Sequence, residues 1–208
     1  CVHPELVATA REALDALGLA QVAVASVANF PDGGSDPARA VREVRRALAA
    51  GAGEVDVVFP YRALMAGDEA CGATLLARCR ELHGGRYVLK AILETGVLAD
   101  PALVARASAI AIAAGADFIK TSTGKVAVNA TPEAAATMLR VIQAHGGRCG
   151  FKAAGGIRTL DDAAVYLALA DDILGPAWAA PQRFRIGASK LLAEIQSVLD
   201  PGPSSTPG

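Results

Sequence analysis

Two lysines stand in successive apolar runs of this chain. Lys120 lies in Phe118-Ile119-Lys120-Thr121-Ser122-Thr123-Gly124, and Lys152 in Cys149-Gly150-Phe151-Lys152-Ala153-Ala154-Gly155-Gly156. Lysine is almost never fully buried unless paired. Two ammonium groups in one dry site lower each other's pKa, and the neutral amine released this way attacks carbonyl carbon. The chemistry expected is therefore Schiff-base formation. If both side chains point into one barrel, the amines lie within about 6 Å, where like charges perturb each other strongly. A plainer reading pairs each lysine with a core carboxylate such as Asp56 or Glu94.

Asp56 sits mid-strand in Glu54-Val55-Asp56-Val57-Val58. A buried carboxylate flanked by valines costs free energy unless it is paired. It is suited to relay protons while a carbinolamine forms and dehydrates. It is equally suited to partner a lysine, and the two roles are compatible.

Three glycine-bearing loops follow the strand-like runs: Gly124-Lys125, Gly155-Gly156-Ile157-Arg158 and Gly187-Ala188-Ser189-Lys190. Glycine lets backbone N–H groups approach an anion, and a helix N-terminus favours negative charge. In barrels a phosphate site is often built from the last two strand-to-helix loops. These loops are expected to form a phosphate cup, the alternative being ordinary turns and caps.

Apolar runs with strand character start near Gln21, Glu54, Tyr87, Phe118, Cys149 and Arg183, recurring every 31 to 34 residues. Helical patterns fill the gaps over 36–50, 101–114, 132–145, 160–170 and 189–199. Asp36-Pro37, Asp100-Pro101 and Thr131-Pro132 place a capping side chain before proline at the first helical position. Alternating strand and helix at this period means parallel βα units. An open doubly wound sheet and a (β/α)8 barrel both fit. No Gly-x-Gly-x-x-Gly follows a strand, which weakens a dinucleotide-binding sheet. Polar residues recur at strand ends (Asn29, Asp56, Lys90, Lys120, Lys152, Ser189), the habit of a barrel.

The expected fold is thus an α/β TIM barrel. Cys1-Val2-His3-Pro4 reads as the tail of a further strand, followed by a helix over 5–17. The first strand and most of the second are expected to be missing from the 208 residues. One barrel domain is expected over 1–200, and a flexible Pro-, Gly- and Ser-rich tail over 201–208.

A net charge of -1 argues against a nucleic-acid partner, and no apolar run reaches the roughly 18 residues of a membrane span. Cys1, Cys71, Cys79 and Cys149 match no metal or disulfide spacing, so free thiols in a reducing cytoplasm are expected. His3, His83 and His145 are scattered, and no metal is expected at them.

The motifs Glu54 to Gly67, Lys90 to Gly96, Ala116 to Lys125 and Gly150 to Thr159 resemble the deoxyribose-phosphate aldolases, class I aldolases on a (β/α)8 barrel. The residues alone do not choose between the two lysines. The resemblance implies Lys120 as the Schiff-base lysine, Lys152 as the lysine that depresses its pKa, and Asp56 as the proton relay. It implies phosphate binding by Gly124, Lys125, Gly155, Gly156, Arg158, Gly187 and Ser189. The implied reaction is reversible cleavage of 2-deoxy-D-ribose 5-phosphate to acetaldehyde and D-glyceraldehyde 3-phosphate. It needs no metal or other cofactor, because the iminium is the electron sink. Many members are dimers, and a homodimer is the assembly expected. Two other readings stay open: another lysine-dependent aldolase or transaldolase, and an incomplete, inactive barrel that binds a phosphosugar. Many members carry a small residue where this chain has Lys190 after Ser189, and some end in a tyrosine that the tail over 201–208 does not contain.

Overall fold

The computed structural model describes residues 1–199; the tail expected over 201–208 lies outside them. The chain opens with a 3-10 turn (Pro4–Leu6) and then alternates. The order is α1 (Val7–Ala16), β1 (Ala25–Ala28), α2 (Pro37–Ala49), β2 (Glu54–Val58), α3 (Tyr61–Met65) and α4 (Glu69–Arg80). It continues with β3 (Val88–Ile92), α5 (Thr95–Leu98), α6 (Pro101–Ala113), β4 (Phe118–Lys120) and α7 (Pro132–Ala144), and ends with β5 (Gly150–Ala154), α8 (Leu160–Leu174), β6 (Phe184–Gly187) and α9 (Leu191–Leu199).

The strands are all parallel and pair in chain order from β1 to β6. β2 and β5 are buried along their whole length, as strands covered on both faces must be. The sheet is a half-barrel. Asp56 on β2 and Lys152 on β5 are three strands apart, about 14 Å across a flat sheet. Their side chains nevertheless meet at 2.8 Å, which requires a concave face. Helices line the outer face as neighbours: α2 beside α4, α4 beside α6, α6 beside α7, α7 beside α8. α2 shows why they dock, since Ala40, Val44 and Ala47 make one buried stripe at helical spacing.

The expected caps form. Asp36, Asp100 and Thr131 each accept a backbone N–H of the first turn, with proline at the helix start. Thr159 and Asp162 form a reciprocal capping box on α8. The Val2 N–H donates to the Ala25 carbonyl and the Ser26 hydroxyl donates to the Val2 carbonyl, so the opening residues do lie along β1.

Several boundaries differ from expectation. The run from Gln21 starts as a turn, because Arg11 draws in the carbonyls of Leu19 and Val22; the strand begins only at Ala25. β4 stops at Lys120, although Thr121 N–H still donates to the Lys152 carbonyl. The short helices α3 and α5 at the ends of β2 and β3 carry too few residues for a periodic pattern. Among the described residues no helix is long and apolar enough to cross a membrane, and the four cysteines are free thiols.

Candidate active site

In a parallel sheet, residues in register point to the same side. Asp56 is in register with Lys90, and Lys120 with Lys152, which is itself in register with Arg185. Period-two alternation puts Glu54 on the same face as Asp56. The inner face of the half-barrel thus collects two carboxylates and four cations from five strands.

Asp56 is the hub and is fully buried. Its Oδ1 accepts from Lys90 Nζ at 2.7 Å, while its Oδ2 accepts from Lys120 Nζ at 2.9 Å and Lys152 Nζ at 2.8 Å. Lys90 also reaches Glu54 at 2.6 Å, and Arg185 meets the other Glu54 oxygen at 3.4 Å. Beneath the site the Arg185 guanidinium lies over the Phe118 ring.

Burial works to raise the pKa of Asp56 and is outweighed by Lys120, Lys152 and Lys90, which hold it well below the usual carboxylate range. Burial lowers Lys152 to about 8, with Asp56 opposing and Lys120 and Lys90 adding repulsion. Lys120 and Lys152 both lean on one oxygen of Asp56. A neutral amine at neutral to mildly basic pH, beside a fixed carboxylate, is the equipment for carbonyl addition.

The plainer reading of the lysines, pairing with a core carboxylate, holds for Asp56, which is their shared ion-pair partner. Glu94 takes neither lysine and instead binds Thr123.

A cavity of about 510 Å³ opens above the lysines. Lys120, Lys152, Gly124, Gly155, Gly187 and Ser189 line it, together with Cys1, Ile186 and Ala188. The three glycine loops therefore converge over the two lysine amines. Gly155 has φ +84°, which favours glycine, and a Cβ there would lie 2.7 Å from Asn129 Cβ. Lys125, Gly156 and Arg158 are exposed and stand outside the lining. Arg158 is tied in through its backbone, whose N–H donates to Asp162. The larger cleft on the outer helical face between α6 and α7 is lined by alanines together with Arg106, Arg140 and His145, and holds no lysine and no carboxylate.

Sequence reasoning did not find the roles of Lys90, Glu54 and Arg185. The signal was present: Lys90 is a third lysine in an apolar strand, and Glu54 and Asp56 share a face by alternation.

The family model described as DeoC/LacD family aldolase matches residues 1–197. Among solved structures, a candidate deoxyribose-phosphate aldolase from Toxoplasma gondii ME49 is 27% identical, with a TM-score of 0.87, covering 98% of this chain and 81% of that one. A candidate deoxyribose-phosphate aldolase from Coccidioides immitis is 30% identical, with a TM-score of 0.79, covering 94% and 72%. A deoxyribose phosphate aldolase from Aeropyrum pernix, described as a tetramer, is 25% identical, with a TM-score of 0.75, covering 97% and 78%.

Proposed function

Because this chain belongs to the DeoC/LacD family of aldolases, we propose that it cleaves 2-deoxy-D-ribose 5-phosphate reversibly to acetaldehyde and D-glyceraldehyde 3-phosphate through a Schiff base on Lys120. The observation that supports this most is the sharing of Asp56 Oδ2 by Lys120 and Lys152 beneath a cavity walled by glycine loops.

In this reading the neutral amine of Lys120 adds to the C1 aldehyde of the open-chain sugar. Lys152 and Asp56 carry the proton to the carbinolamine hydroxyl, which leaves as water and yields the iminium. Removal of the C3 hydroxyl proton breaks the C2–C3 bond. Its electrons flow into the iminium to give an enamine, and glyceraldehyde 3-phosphate departs. The enamine takes a proton at carbon, and water hydrolyses the resulting iminium to acetaldehyde and free Lys120. The phosphate rests against Gly124, Gly155, Gly187 and Ser189, with Lys125, Gly156 and Arg158 at its rim.

The test is borohydride trapping with acetaldehyde, read by peptide mass spectrometry. The expected result is a reduced two-carbon adduct on the peptide holding Lys120, absent from Lys120→Ala. An adduct on Lys152 would move the nucleophile to that residue and leave the reaction class intact. No adduct on the folded protein would overturn the aldolase reading in favour of a phosphosugar-binding barrel. A panel of donor aldehydes and ketones separates this reaction from those of other lysine aldolases, since acetaldehyde is an uncommon donor.

A further inference from the structure

Glu94 is a buried carboxylate that the mechanism above does not use. It stands just past β3 in the left-handed region, at φ 57° and ψ 55°. A non-glycine residue holds that conformation at a cost of about 1–2 kcal/mol, so its surroundings must enforce it. Its side chain is fully buried. One carboxylate oxygen accepts the Thr123 backbone N–H at 3.1 Å, and the other accepts the Thr123 hydroxyl at 2.5 Å. The Thr123 Oγ1 in turn accepts the Lys125 N–H at 3.1 Å. Alongside, the Thr95 N–H donates to the Thr121 carbonyl at 2.9 Å, binding the same two stretches of chain.

These bonds fasten the turn that carries Gly124 into the cavity. The N–H groups of Thr123 and Lys125 are both engaged. Among the described residues the N–H between them, that of Gly124, has no partner. We propose that Glu94 is a positioning residue for phosphate recognition: it clamps Thr123 so that the Gly124 turn keeps the shape that receives the phosphoryl group. The inference rests on reading the cavity as a phosphosugar site. Glu94 acts only through the turn and touches neither the reacting carbonyl nor the lysines.

A carboxylate suits the task because it accepts both Thr123 protons at once, and hydrogen bonds to a charged acceptor are the stronger ones. An amide keeps one acceptor and turns a donor toward the hydroxyl. Glu94→Gln should therefore weaken the clamp and Glu94→Ala should abolish it.

The experiment compares wild type, Glu94→Gln and Glu94→Ala on 2-deoxyribose 5-phosphate and on unphosphorylated 2-deoxyribose, with inorganic phosphate titrated calorimetrically against each. The expected result is a rise of about tenfold in KM for the phosphorylated sugar in Glu94→Ala, with kcat within threefold. Glu94→Gln should fall between, kcat/KM for 2-deoxyribose should stay within twofold, and the Kd for phosphate should follow KM. Unchanged KM, or equal losses on both sugars, would overturn the proposal. If Glu94→Ala does not fold, Glu94→Gln decides by the same criteria. If wild type traps no acetaldehyde, the aldolase reading fails and the phosphate Kd alone decides the role of Glu94. If wild type binds no phosphate, the proposal falls while the lysine chemistry stands on its trapping result.

Discussion

Lys120 and Lys152 donate to the same oxygen atom, Oδ2 of Asp56, at 2.9 and 2.8 Å. Asp56 keeps its other oxygen for Lys90. One buried negative charge therefore faces three ammonium groups, with Glu54 helping only at Lys90. Such an arrangement is most easily relieved by losing a proton from an amine, which is what a Schiff-base enzyme needs.

Imine formation should follow that proton. Lys152 is lowered from 10.5 to about 8, so single-turnover trapping of acetaldehyde should speed up as pH rises, with a midpoint near 8. Lys90 contributes to the lowering through its charge, so Lys90→Met should move the midpoint upward. A midpoint that stays put in Lys90→Met would remove Lys90 from this role.

The same shift has a consequence for stability. The folded value lies below the ordinary one, so between about 8 and 10.5 the unfolded chain holds the Lys152 proton more tightly. Stability from this group should rise with pH across that window, and Lys152→Met should lose the rise. Urea unfolding at pH 7.5 and pH 10 checks it.

Asp56→Asn leaves three buried cations without their shared counter-charge. Removing one partner of a buried ion pair costs roughly 3–5 kcal/mol, and denaturant midpoints should fall accordingly. Turnover should drop by about 10²–10⁴, the worth of a positioned acid–base group. Because Asp56 opposes the lowering of Lys152, the trapping midpoint should also fall below 8.

Gly155→Ala and Gly124→Ala separate space from backbone strain. Both glycines have positive φ, but a Cβ at Gly124 meets nothing within 4 Å, whereas one at Gly155 strikes Asn129. Gly124→Ala should cost about 1–2 kcal/mol of stability. Gly155→Ala should cost more and raise KM for the phosphorylated sugar further, because the Asn129 loop must move. Thermal unfolding and steady-state kinetics on both variants read the difference.

Arg158→Ala should raise KM for the phosphorylated sugar two- to threefold at low ionic strength, and leave the unphosphorylated sugar unaffected. Its side chain is exposed and outside the cavity lining, so salt should screen the effect. Equal effects on both sugars would remove Arg158 from phosphate recognition.

Much of this molecule is legible in local pattern. The regular spacing of apolar runs foretells the parallel βα order, and the Asp-Pro and Thr-Pro pairs foretell three helix starts. Charged residues inside apolar strands single out Asp56, Lys120 and Lys152, because burial makes unpaired charge too costly to be accidental. The start of β1 was not legible, since the Arg11 guanidinium that turns residues 19–22 comes from a preceding helix. Nor was the division among the glycine-loop residues, because Arg158 and Gly155 sit three positions apart and only one lines the cavity.

The sequence by itself determined which residues carry charge into the interior and which turns can bare their backbone, since both follow from residue type and period. Only the tertiary structure decided how those charges pair. The curvature of the sheet brings β2 against β5, so that one oxygen of Asp56 serves two lysines and the other is held by Lys90. It also decided that Glu94, an equally plausible lysine partner on sequence grounds, turns away to hold Thr123. The physical reason is that pairing energies depend on distances of a few ångströms between residues 29 to 96 positions apart. Those distances are set by strand register and sheet closure, which no local pattern contains.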